Sequence, residues 1–141
     1  MSNLPWDVIY FETADGLAPA IEFLEGCPTN VEADILATLE AVREAPPPRF
    51  SGGGRWEAMH GKMTGYFEVR TQGPKREQFR LFCLLENGTE DELAKRGLQR
   101  PTIAAISGMR KPFMTTFTEA DYRKVRRLGN EHEACFPRSI R

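Results

Sequence analysis

At 141 residues, with 40% hydrophobic and 10% aromatic content, the chain fits one domain around a single ordinary core. No apolar run reaches the roughly 18 residues of a membrane span, and the start "MSNLPWDVIYFET" has no basic segment leading into an apolar one, so a soluble cytoplasmic protein is expected. The net charge of −1 conceals a division, with nine acids against one base up to Ala45 and eleven acids against eighteen bases from Pro46 onward, which makes a cationic surface on the C-terminal two-thirds a plausible seat for a polyanion.

In chain order, "WDVIYFE" (Trp6 to Glu12) is β-branched and aromatic and reads as a strand. Asp15-Gly16 closes it and starts a short helix with Leu17, Ile21 and Leu24 on one face, ended by Gly26 and Pro28. Thr29 and Glu32 have capping-box spacing for a second helix, whose apolar stripe is Val31, Ile35, Leu39 and Val42. "PPPRFSGGG" (Pro46 to Gly54) is a loop; a phosphate-binding P-loop would continue Gly-Lys-Ser/Thr, but Arg55-Trp56 stands there.

"GYFEVR" and "QFRLFCLL" alternate on either side of the turn-rich "TQGPKRE" and read as a hairpin, with Phe67 and Val69 on one face and Tyr66, Glu68 and Arg70 on the other. Arg80 shares its face with Phe82 and Leu84. "ENGTEDELAKRGLQRP" is a long polar connection with a helical turn at Glu90 to Arg96, and "TIAAISGM" is the last strand. Thr118 and Asp121 cap a final helix that packs through Tyr122, Val125 and Leu128 and turns Arg123, Lys124, Arg126 and Arg127 outward. The domain is read as residues 1–128, with a loosely ordered tail at 129–141. The order of elements favours an α+β fold with an antiparallel sheet over a doubly wound parallel one.

No spacing supplies a Ser-His-Asp set, a metal cage or a carboxylate pair, so no cofactor and no metal are expected. Cys27, Cys83 and Cys135 read as reduced structural thiols, and His60 and His132 as surface histidines. What remains is a set of cations at strand ends, Lys62, Arg70, Arg80, Arg110 and Lys111, with Tyr66 and Tyr122 as candidate hydroxyls. Converging guanidinium groups suit a phosphate; the competing reading pairs each with Glu57, Glu68 or Glu77.

"YFEVR", then "FRLF", then "ISGMRKPFMTTFTEADY" resembles, from about Trp56 to Leu128, the motif order of RelE/HigB-like toxins of type II toxin-antitoxin systems, in particular their phage-derived subfamily in the RelE/ParE superfamily. The resemblance implies a small twisted antiparallel sheet with an N-terminal helix hairpin, two helices on one side and a C-terminal helix. It implies metal-free endonucleolytic cleavage of mRNA on the ribosome, inhibiting translation, and a cognate helix-turn-helix antitoxin as partner. Carried over, Arg70, Arg80, Arg110 and Lys111 fall on the family's basic positions, with Tyr66 as a candidate hydroxyl. Lys62, Lys75, Arg76 and Arg123 are then RNA-binding candidates. A general base is not marked by the motifs; Tyr66, Lys62 and His60 stand nearest. A non-catalytic module such as a ParE-like gyrase inhibitor is the alternative on the same fold.

Overall fold

The computed structural model describes residues 5–46 and 54–134 and the backbone of 139–140. The Pro/Gly loop lies largely outside the described residues, as does Cys135. The elements are β1 (Asp7–Phe11), α1 (Pro19–Glu25), α2 (Thr29–Glu44), β2 (Trp56–Ala58), β3 (Tyr66–Gln72), β4 (Gln78–Glu86), α3 (Glu90–Lys95), β5 (Thr102–Lys111), α4 (Glu119–Ala134) and the two-residue β6 (Ser139–Ile140). The fold is α+β, around one sheet in the order β2-β3-β4-β5-β1-β6.

The sheet is mixed, which corrects the antiparallel expectation. β2, β3, β4 and β5 form an antiparallel meander, but β1 lies parallel to β5, with Asp7 opposite Thr102 and Tyr10 opposite Ala105. The connection from β1 to β5 is long enough to hold the helix hairpin and three strands, so the parallel pairing costs no strained link.

Alternation divides the core in two. On one face Val69, Phe79, Leu81, Cys83, Ile103 and Ala105 pack against Ala20 and Leu24 of α1 and Val31, Ile35, Leu39 and Val42 of α2. On the other, Ile9, Phe11, Tyr66, Phe82, Ala104 and Ile106 pack against Leu93, Leu98 and Val125. Helices therefore cover both faces, the α1–α2 hairpin on one and α4 on the other.

The α2 stripe forms as its spacing requires, but its cap does not. Pro28 is the N-cap residue, Thr29 already lies in the helix, and no side-chain cap bond forms. α1 starts at Pro19, whose missing N–H costs nothing in a first turn, rather than after Gly16, and Leu17 stays exposed. The capping pair of α4 is present: Thr118 N–H donates to Asp121 Oδ2 at 2.8 Å, and Asp121 N–H to Thr118 Oγ1 at 3.2 Å.

Two expectations near the C-terminus are overturned. α4 runs on to Ala134, so residues 129–134 belong to the fold, and Gly129 is where the helix meets β3: a Cβ there would stand 1.8 Å from Tyr66 Oη. His132 is 1% exposed rather than a surface residue, with Nε2 2.7 Å from Glu86 Oε2 and its ring edge-on to Phe11. Arg96 closes this cluster. Its guanidinium donates to Glu86 Oε2 at 3.0 Å and to the carbonyls of His132 and Glu133 at 2.9 and 3.1 Å, a favourable place for a cation at a helix C-terminus. Glu86, His132 and Glu133 have ligand atoms within 4.8 Å of one another, but a guanidinium on the same carboxylate opposes a second cation there. Among the described residues no helix is long and apolar enough to cross a membrane.

Candidate functional site

α4 lies over the Tyr66 end of its face of the sheet and leaves the other end open. The result is a cleft of about 770 Å³, floored by Glu68, Arg70, Gln78 and Arg80 and walled by Asp34, Arg55, Thr71, Tyr122 and the 113–117 segment. A second hollow of about 780 Å³ shares Glu68, Arg70 and Tyr122 and continues past His60 and Lys62. The two make one groove across β2, β3 and β4.

Strand register places the floor. Arg70 and Arg80 are direct cross-strand partners, so their side chains rise together on one face, and Glu68, two residues before Arg70, rises beside them. Glu68 Oε1 is 3.5 Å from Arg70 Nε and its Oε2 is 3.9 Å from Arg80 Nε. Burial pushes the Glu68 carboxyl above its ordinary range, against the pull of Arg80 and then Arg70. The result is a partly desolvated carboxylate between two guanidinium groups, ready to take up a proton.

The two arginines are not equivalent. Arg80 is 8% exposed; it donates to Phe79 O at 3.2 Å and Gln78 Oε1 at 3.1 Å, and its guanidinium lies 5.2 Å from the Phe117 ring centroid. Arg70, with 44% of its side chain exposed and, among the described residues, Glu68 as its ion-pair partner, is the more accessible of the two. Arg70 is thus exposed at the cleft, while Arg80 lies in its floor.

Arg110 is not in the cleft. It sits opposite Phe79, and its side chain lies on the α1 face. There Nε and Nη2 bind Glu77 in a fork at 2.6 and 2.8 Å, Nη1 donates to Gly26 O at 3.0 Å, and the guanidinium stacks 4.7 Å over Phe79. The cause is a β-bulge. The β4–β5 register passes from Phe82 opposite Ser107 to Cys83 opposite Ala105, leaving Ile106 as an extra residue. Uninterrupted alternation would put Arg110 on the same face as Ala104 and Ile106; the bulge moves it to the other. Gly108 follows, lying where a Cβ would stand 2.2 Å from the Phe23 ring, and the strand continues through it to Lys111.

Lys111, opposite Gln78, is on the cleft face but is occupied: its Nζ is 3.2 Å from Asp121 Oδ2, fastening the strand to the first turn of α4. Tyr66 is under α4, outside both hollows, and burial pushes its hydroxyl up to about 12. Tyr122 is the hydroxyl that lines the cleft. Its pKa is raised by burial first and by Glu68 second, so it remains a proton donor, and its ring packs edge-on to Phe82 at 6.0 Å.

Of the remaining candidates, Lys62 and His60 line the second hollow. Lys75 and Arg76 form the exposed tip of the β3–β4 hairpin, and Arg123 is exposed on α4. The sequence reading treated Glu68 only as a counter-charge and passed over Asp34, Arg55, Gln78, Phe113 and Phe117. Asp34 accepts from Arg55 and from Thr71 Oγ1, tying α2 to the cleft wall. Period-2 spacing from Arg70 was signal enough for Glu68; nothing local marks the others. Comparison of the chain with protein-family models, curated proteins and solved structures gives no match.

Proposed function

We propose that the protein is a toxin of the RelE/HigB-like kind: a metal-free endoribonuclease that cuts mRNA, acting with the ribosome in the cytoplasm and held in check by a helix-turn-helix antitoxin. The observation that carries this reading is the floor of the cleft, where Glu68 lies between the cross-strand neighbours Arg70 and Arg80. Transesterification of RNA needs a base for the ribose 2′-hydroxyl and fixed positive charge for a phosphate gaining negative charge.

In this site Glu68 accepts the 2′-hydroxyl proton as the oxygen attacks the adjacent phosphorus. Arg70, reinforced by Arg80, stabilises the added charge, and Tyr122 donates a hydrogen bond to a non-bridging oxygen. The bond to the 5′ oxygen breaks, that oxygen takes a proton from solvent, and a 2′,3′-cyclic phosphate remains. Every role is filled without Arg110, Lys111 or Tyr66.

The test is cleavage of mRNA in a translation extract by wild type and Glu68→Gln. A lost general base lowers the rate about 10² to 10⁴-fold. Ionised Glu68 is the active form and burial raises its pKa, so wild-type activity should rise with pH through a limb lying above the ordinary glutamate range. In the variant that limb should vanish. Intact mRNA at full ribosome occupancy would sink the proposal, and gyrase inhibition without RNA breaks would install the ParE-like reading instead.

A further inference from the structure

The segment between β5 and α4 leaves large apolar side chains in water at the rim of the cleft: Phe113 is 46% exposed and Met114 81%. Both line the same hollow as Arg55, Arg70 and Arg80. A lone exposed apolar residue means little, but an exposed aromatic ring beside a cationic groove has a specific chemical use.

The ring is built into the rim. Arg76, at the hairpin tip, places its guanidinium 5.1 Å from the Phe113 ring centroid. Gln78 Nε2 donates to Thr115 O at 2.7 Å and to Pro112 O at 3.3 Å, clasping the segment to β4, and Thr115 N–H closes a turn on Pro112 O. Lys75, Arg76 and Met114 have φ of 56°, 59° and 66°, a left-handed backbone that side chains other than glycine's disfavour and that concentrates at ligand-holding segments. Two strained turns thus meet through one ring and one guanidinium.

We infer that Phe113, backed by Arg76, is a stacking platform for an unpaired nucleobase of a single strand whose backbone phosphate sits at Arg70. The inference rests on the cleft being a phosphodiester site. A base offers a flat π face to the ring whatever its identity, so the platform grips the strand without reading its sequence, and the neighbouring cations favour the strand's negative backbone. The main-chain carbonyl of residue 112, directly after the Arg110-Lys111 pair, is the anchor that Gln78 and Thr115 hold.

The experiment measures binding of two labelled probes of equal length: a short single-stranded 2′-O-methyl RNA, which lacks the nucleophile, and a phosphodiester chain of abasic residues. Phe113→Ala should weaken binding of the base-bearing strand roughly tenfold and leave the abasic chain unaffected. Phe113→Trp should restore affinity, with indole fluorescence quenched on binding. Arg70→Gln should weaken both probes. Wild-type affinity for the base-bearing strand in Phe113→Ala, with Arg70→Gln still defective, would overturn the platform and leave the phosphate site standing. Wild type binding neither probe would overturn both.

Discussion

Gly129→Ala tests the closure of α4 over the sheet, and with it the seating of Tyr66 beneath the helix, outside both hollows. In an ordinary helix interior the change is favourable by about 1 kcal/mol, because alanine loses less backbone freedom than glycine. Here the added methyl would stand 1.8 Å from Tyr66 Oη, 2.8 Å from Cζ and 3.3 Å from Cε2. The hydroxyl overlap exceeds an ångström, and the ring behind it is buried under α4, so neither partner can swing aside. Overpacking of this kind costs about 1–3 kcal/mol, and a contact so short belongs at the upper end. The net expectation is a loss of about 1–2 kcal/mol, read as a lower denaturant midpoint with an unchanged slope. In a Tyr66→Phe background the worst overlap is gone while the 2.8 Å contact with Cζ remains, so the same substitution should cost less, and the double-mutant cycle should report coupling of about 1 kcal/mol. Tyr66→Phe alone should keep full mRNA cleavage. A Gly129→Ala protein at least as stable as wild type, without coupling to position 66, would refute the seating of α4 on Tyr66. Loss of cleavage in a folded Tyr66→Phe protein would refute the placement of the hydroxyl outside the cleft.

The remaining predictions concern charges. Arg70→Gln should lower cleavage at least about 10²-fold, while Arg110→Gln, on the opposite face and paired to Glu77, should leave the cleavage rate unchanged; equal losses in both, measured on the same RNA, would contradict the bulge-shifted register. His132→Ala should destabilise the fold by about 2–4 kcal/mol, since it opens a cavity beside Phe11 and takes a hydrogen bond from a buried carboxylate; thermal unfolding measures it, and an unchanged midpoint would place His132 outside the core. The bond to His132 first, and Arg96 after it, hold the Glu86 carboxyl below its usual range, so its contribution is complete above that range and is lost as pH falls through the depressed value. The stability advantage of wild type over Glu86→Gln should therefore shrink on acidification, and a constant gap in unfolding free energy would count against the pairing.

Much of the scaffold is legible in the sequence because it is local. Val31, Ile35, Leu39 and Val42 recur at helical spacing and all four are buried; Thr118 and Asp121 stand three apart and cap α4; β3 and β4 alternate around a turn of glycine and proline. Long-range pairings are not legible in that way. The parallel contact of β1 with β5 joins residues separated by the helix hairpin and the meander, and nothing within either strand specifies the partner. His132 fails for a related reason: only tertiary packing brings Glu86, Phe11 and Arg96 around a residue that in the sequence resembles part of a polar tail.

The cationic strand end shows how one local irregularity redistributes function. Arg110 and Lys111 are adjacent, so a strand must send them to opposite faces, and two neighbours on one strand cannot both enter one site. The bulge at Ile106 decides which face each takes: Lys111 goes to the cleft face, where Asp121 takes it up, and Arg110 to the α1 face, where Glu77 and Gly26 do. Both cations thereby secure the segments on either side of the cleft, Lys111 the start of α4 and Arg110 the hairpin tip and the end of α1. Of these four, the cation most open to the cleft is Arg70, with Arg80 across the strand pair and Glu68 as its ion-pair partner. The register thus separates four basic residues into two that are paired across segments, Arg110 and Lys111, one that is buried, Arg80, and one that is exposed at the cleft, Arg70.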